Sequence, residues 1–175
     1  MVPVAQPRHY CGMAISTRRI RSADGRLLKA TRLAALLDTP PAFGSSYEAE
    51  APQSDVRWAE LAAERAEGRD HATYFALDGD AVVGLVGGHR SADGERVDLV
   101  SMWTDPSARG RGVGAVLVDA VVEWADGSPV ELWVTRGNDA ALRLYERCGF
   151  AVTGDVQPLP SDPCKDEVRM RRMPR

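Results

Sequence analysis

The stretch from Val97 to Gly114 constrains this chain more than any other. An apolar run of strand type, Val97 to Thr104, feeds a loop of glycine and arginine that opens an amphipathic helix. Gly110, Gly112 and Gly114 remove side chains where backbone N–H groups must converge on one anion, and the helix behind them adds the positive end of its macrodipole. Arg109 and Arg111 add charge to the same loop. Beyond it, Val113, Val116, Leu117, Ala120, Val121 and Trp124 recur at helical spacing, while Asp119, Glu123 and Asp126 face away. One helix face must therefore pack on a sheet, and the spacing predicts a phosphate cradle between strand and helix.

A second segment, Asn138 to Phe150, reads as a short helix with a legible start and stop: Asn138 stands at the N-cap and Gly149 just past the end. Taken together, the two segments resemble the GCN5-related N-acetyltransferase (GNAT) superfamily. Its pyrophosphate loop, Arg/Gln-x-x-Gly-x-Gly/Ala, is matched by Arg109, Gly112 and Gly114, and its later pattern by Asn138, Ala141, Leu144, Tyr145, Gly149 and Phe150. The motifs span residues 97–150, and the inferred strand order extends the resemblance from about residue 16 to residue 173.

A chain of 175 residues with 44% apolar content is most simply one globular domain, and a formal charge of −3 offers no basis for a nucleic-acid groove or an anionic membrane surface. Cys11, Cys148 and Cys164 form neither an even disulfide set nor a paired metal motif, which points to a reducing, cytoplasmic setting without a metal. Met13 precedes the first strand-like segment, so residues 1–12 read as a peripheral extension and residues 13–175 as the domain.

The fold expected is α/β (α+β): a central mixed, mostly antiparallel seven-stranded sheet, splayed at strands 4 and 5, with about four helices on its faces. Thr17–Arg21 reads as the first strand, followed by a helix capped by Asp24 that carries Leu27, Leu28, Leu33, Leu36 and Leu37 and ends at Pro40-Pro41. A second helix, capped by Ser54, carries Trp58, Leu61 and Ala62 inward. Thr73–Leu77, Val82–Gly88 and Val97–Thr104 form a meander, and Val130–Val134, Phe150–Thr153 and Glu167–Met173 are the later strands. The Pro-rich connection Pro158–Pro163 is expected to rim the site.

The resemblance implies an acetyl-CoA-dependent N-acetyltransferase in which a primary amine attacks the thioester directly in a ternary complex. Cofactor contacts fall on Met102, Trp103 and Thr104, through their backbone at a strand bulge, on Arg109, Gly110, Arg111, Gly112, Val113, Gly114 and Ala115, and on Asn138 and Tyr145. Asn138 also reads simply as a helix cap. Tyr145 reads either as a core aromatic on the stripe Ala141, Leu144, Tyr145, Cys148 or, by the resemblance, as the general acid for the leaving thiolate.

An ammonium of pKa ~10.4 must lose a proton before it attacks. Asp98 precedes Arg109 by the interval that separates the catalytic Glu from the loop in the histone-acetylating branch, and alternation places Asp98, Val100 and Met102 on one face. It reads as a base acting through water or as a solvated strand-end carboxylate, with Glu48, Glu50 and His89 as weaker candidates.

Phe43, Tyr47, Glu48 and Glu50 lie in the loop expected to wall the acceptor site, and their carboxylates favour a small or medium basic amine. A protein lysine or N-terminal acetyltransferase and a non-catalytic CoA-binding module are the alternatives, and a homodimer is compatible with any of them. Gly110, Gly112 and Ala115 also satisfy the dinucleotide pattern Gly-x-Gly-x-x-Ala, but five residues separate the strand from the glycines and a meander precedes it.

Overall fold

The computed structural model describes residues 14–174; the expected extension, residues 1–12, and Cys11 within it lie outside the described residues. The chain runs β1 (Ser16–Arg19), α1 (Gly25–Asp38), α2 (Tyr47–Glu50), α3 (Asp55–Glu67), β2 (His71–Asp78), β3 (Ala81–Arg90), β4 (Val97–Thr104), α4 (Val113–Trp124), β5 (Val130–Thr135), α5 (Asp139–Arg147), β6 (Ala151–Leu159) and β7 (Asp162–Arg172). The seven strands make one open sheet in the order β1-β2-β3-β4-β5-β7-β6, and only β4 and β5 are parallel. This is the mixed, mostly antiparallel architecture expected.

Helices cover both faces. On one, α1 and α3 bury Leu28, Trp58 and Ala62 against Ile20, Phe75 and Leu85. On the other, α4 buries Val113, Leu117, Val118 and Val121 against Val86 and Val97. Each fully buried side chain of this size contributes about 1.5–3 kcal/mol, so the sheet is clamped from both sides. α4 lies close because β3 presents glycines to it. A Cβ on Gly84 would stand 2.9 Å from Leu117 and Val113, and one on Gly88 would stand 2.8 Å from the Trp124 ring.

Several expectations require adjustment. Leu27 and Leu37 are exposed, and the buried stripe of α1 is Leu28, Thr31, Ala35 and Leu36. Asp24 precedes α1, yet its carboxylate accepts from Arg18 and from the Arg21 amide rather than capping the helix. Ser54 does cap α3, accepting from the Arg57 amide at 3.1 Å. β6 and β7 are longer than expected, and Pro158–Pro163 is the end of their hairpin rather than a loop. Pro158 is tolerated because β6 is the sheet's edge strand. The hairpin tip packs on the 43–44 loop, with Ser161 Oγ donating to the Phe43 carbonyl.

The feature that positions the site is the divergence of β4 from β5. They pair only at Val97↔Val130 and Asp98↔Glu131. On its other edge β4 slips against β3, from Gly87↔Val100 to Leu85↔Trp103, so Ser101 and Met102 together oppose Val86. Ser101 adopts φ +56° at this bulge. A bulge bends the strand that carries it, and here it accompanies the opening of a wedge toward the C-terminal ends of the two parallel strands.

Candidate active site

The wedge continues into a cleft of about 770 Å³. One wall is the β4 segment Met102, Trp103 and Thr104, whose β5-facing edge has no strand partner. The floor is the loop and first turn of α4, with Arg109, Gly110, Gly112, Val113, Gly114 and Ala115 on its lining. Asn138, Ala141 and Leu144 of the α5 segment close the far side.

Gly110 and Gly112 adopt φ +77° and +84°, a conformation glycine takes at low cost, and a Cβ on either would meet no atom within 4 Å. Their amides, with those of Val113 and Gly114 in the uncapped first turn of α4, find no backbone acceptor among the described residues. Four free donors at the positive end of a helix suit one anion. Gly114 has a different duty: its Cβ would fall 2.7 Å from Leu144 Cδ2, so it leaves room for the Leu144 side chain against the first turn of α4.

Both arginine side chains of the loop have carboxylate partners within the protein. Arg109 pairs with Asp38 and donates to the Thr104 carbonyl at 3.2 Å, while Asp38 also accepts from Trp103 Nε1 at 2.9 Å. Arg111 turns off the cleft to Asp78, 2.8 Å away. Burial raises the Asp38 pKa, but its bonds with Thr39, Trp103 and Arg109 outweigh that and hold the carboxyl below its ordinary range.

Between β4 and β5, at the base of the wedge, a smaller cavity of about 110 Å³ is bounded by Val100, Ser101, Met102, Thr135, Asn138 and Tyr145. Tyr145 is 5% exposed and packs edge-on against Phe150 at 5.8 Å, and its hydroxyl makes no hydrogen bond among the described residues. Burial pushes its phenol well above the ordinary value, and the nearby Cys148 adds to the shift. Asn138 Oδ1 accepts from the Ala141 amide at 3.2 Å, so the capping duty is real, and the residue lines both cavities.

The structure does not bring Asp98 to this place. The bulge absorbs one residue between Val100 and Met102, so Met102 packs with the α4 core while Val100 lies on the opposite face, against Gly87 and the α1–α3 side. Alternation then assigns Asp98 to the face of Val100, not that of Met102. Its carboxylate meets Arg96 at 3.2 Å, at the closed end of the wedge. No Asp, Glu or His lines the cavity at Tyr145 among the described residues.

The acceptor wall also differs from expectation. Glu50 is held by a two-pronged contact from Arg32, at 2.7 and 3.0 Å, and Glu48 is exposed outside the cavities. Phe43 is buried and carries the Arg32 guanidinium over its ring at 4.8 Å, so its cation-binding face is occupied. Tyr47 packs beside it. These carboxylates do not gather around an incoming cation.

Sequence reasoning missed Asp38, which reaches Arg109 across 71 positions and carries no local signal. It also missed Arg147, which lines the cleft. Arg147 follows Leu144 by three residues on α5, and helical spacing could have placed it there.

The family model for the Acetyltransferase (GNAT) family matches residues 34–150, and the chain belongs to this family. N-alpha-acetyltransferase RimI of Mycobacterium tuberculosis is 33% identical over 113 residues, covering 63% of this chain and 72% of that protein. Mycothiol acetyltransferase of Brachybacterium faecium is 42% identical over 89 residues, 47% of this chain, and the match spans only 27% of that protein's length. Among solved structures, spermidine N-acetyltransferase from Vibrio cholerae, in complex with CoA and spermine, superposes with a TM-score of 0.73 at 16% identity, covering 91% of this chain and 95% of that one. The dinucleotide reading falls with the topology, since the strand entering the glycine loop pairs antiparallel with its predecessor. Among the described residues no helix is long and apolar enough to cross a membrane, and no group of three or more His, Cys, Asp or Glu side chains could hold a metal.

Proposed function

We propose that the protein is an acetyl-CoA-dependent N-acetyltransferase acting on the primary amine of a small molecule by direct attack in a ternary complex. The observation that carries this reading is the convergence of three features: four unsatisfied amides at the α4 N-terminus, an unpaired β4 edge, and the unpartnered Tyr145 hydroxyl at the base of the wedge. The free edge fits an extended amide-bearing chain, and the amides fit a pyrophosphate.

Acetyl-CoA supplies an activated acyl group as a thioester. The residues proposed to hold it are Gly110, Gly112, Val113 and Gly114 for the phosphates, with Ala115 and Arg147 beside them, and Met102, Trp103, Thr104 and Asn138 for the pantetheine arm. A β4 amide at the bulge would polarise the acyl carbonyl. The amine nitrogen bonds to the carbonyl carbon as the C–S bond breaks, and the Tyr145 hydroxyl donates to the departing sulfur. With no carboxylate or imidazole lining that cavity, the amine's proton leaves through water.

The relatives' names differ in their acceptors, so they do not select one. A panel of primary amines incubated with acetyl-CoA, read by free-thiol release and product mass, tests the proposal. Acetylated product supports it. Saturable CoA binding with no turnover of any amine would instead favour a CoA-binding module.

A further inference from the structure

Resting on that acetyl-transfer reading, we propose that the acceptor carries an anionic group, a carboxylate or a phosphate, seated on Arg65 in the cavity between α1, α3 and the β4 bulge. The cavity measures about 500 Å³ and is bounded by Arg32, Glu50, Arg57, Trp58, Arg65 and Ser101. Ser101 also bounds the cavity that holds Tyr145, so this space adjoins the reacting end of the wedge at the bulge. Its size suits a small molecule.

The lining carries three guanidinium groups and one carboxylate, and the carboxylate is spoken for. Glu50 is gripped by Arg32, which also donates to Ser101 Oγ at 3.3 Å. Arg57 reaches Glu60 at 3.3 Å on the exposed side of α3, where both partners are more than half exposed and the pair is weak. Glu64 lies beside His71, at 3.5 Å, and does not line the cavity.

Arg65 makes no ion pair among the described residues; its carbonyl accepts from Arg19, and its guanidinium lines the cavity. Burial holds its pKa below the ordinary arginine range, with Glu64 and Glu50 opposing and Arg32 and Arg57 adding to the shift.

Trp58 bounds the cavity as a packed wall: it is 2% exposed and belongs to the α1–α3 core. Guanidinium groups can only donate, so with Glu50 engaged by Arg32 the chemistry that completes this cavity is an oxygen-rich anion. An acceptor that placed a second ammonium here would meet an uncompensated like charge.

The test uses the full chain, acetyl-CoA and matched amine pairs: glycylglycine against glycylglycinamide for a carboxylate, and 2-aminoethyl phosphate against 2-aminoethanol for a phosphate. The wild type should favour the anionic member of at least one pair by about ten-fold or more in kcat/KM, the scale of a hydrogen bond to a charged group. The pair that responds identifies the anion. Arg65→Gln should bring that ratio to about one, chiefly through KM, and Arg65→Lys should keep part of it. Equal or better turnover of the neutral members by wild type overturns the proposal whether or not the variants fold, as does an undiminished ratio in folded Arg65→Gln. Calorimetry with CoA, run first, separates the two levels. Failure to bind CoA removes the acetyl-transfer reading and this inference with it, whereas CoA binding and turnover without anion preference removes this inference alone.

Discussion

Replacing Tyr145 with Phe deletes one hydroxyl from a buried ring and leaves its edge contact with Phe150 in place. A leaving thiol has a pKa of ~8.5 and an ordinary phenol ~10, so complete proton transfer to sulfur is uphill by about 2 kcal/mol. Burial raises the Tyr145 phenol further and makes transfer harder still. The hydroxyl therefore acts as a hydrogen-bond donor to charge developing on sulfur. Such a bond is worth about 1.5–3 kcal/mol, or roughly a 10- to 150-fold loss of kcat in Tyr145→Phe. Because the hydroxyl has no partner among the described residues and faces a cavity, unfolding free energy should change by no more than about 0.5 kcal/mol. Steady-state thiol release with the best acceptor, a denaturant titration and calorimetry with CoA measure the three quantities. The raised pKa also keeps the phenol protonated, so the wild-type kcat profile should show no phenolic decline up to about pH 10. Turnover within about two-fold of wild type, with stability intact, would return Tyr145 to a purely structural role.

Three further outcomes follow from the geometry. Asp98→Asn should alter kcat by less than about two-fold across the pH profile, since its carboxylate lies with Arg96 at the closed end of the wedge; a loss confined to low pH would restore it as a base. At Glu50, burial raises the pKa, but the hydrogen bonds and charge of Arg32 outweigh it and hold the group below the ordinary value. Its stabilisation is therefore present above about pH 4.3 and lost as pH falls through the folded value. The stability gap between wild type and Glu50→Gln, read by denaturant midpoints, should be widest near neutrality and close in acid. Gly114→Ala should cost no more than about 1 kcal/mol, because the atom its Cβ would meet is a terminal methyl of the half-buried Leu144, and that cost should vanish in a Leu144→Ala background in a double-mutant cycle.

The sequence made the fold legible wherever side-chain period and chain punctuation agreed. The bounds of β4 follow from its apolar run ending at Asp105-Pro106, and those of α5 from Asn138 and Gly149. Agreement failed at β6, whose expected span stops at Thr153: Gly154, at φ +93°, lies in a break in register within a long hairpin and does not end the strand. The glycine-lined cleft was legible because its lining is backbone, concentrated in glycines and one helix start. The cavity between α1, α3 and the β4 bulge was not, because the charged groups bounding it are arginines on apolar stripes. Arg32 follows Leu28 by four residues and Arg65 follows Trp58 by seven, so each shares the buried face of its helix. A stripe scored only for apolar residues passes over them. The placement of Asp98 failed for a different reason: strict alternation does not survive a bulge, and no residue type marks Ser101 as the extra one.

If the loop from Arg109 to Gly114 and the open edge of β4 bind CoA, calorimetric titration of CoA into the full chain reads that binding without a transfer assay, with NAD as the competing dinucleotide and folded Gly112→Val as the altered cradle. A Cβ at Gly112 meets no protein atom within 4 Å, so that variant adds backbone strain from φ +84° and a side chain projecting into the space proposed for phosphate. Saturable CoA binding at one site per chain is expected, with no heat from NAD and CoA affinity weakened by about ten-fold or more in Gly112→Val. Absent CoA binding, or undiminished affinity in the folded variant, would refute a CoA cradle at this loop.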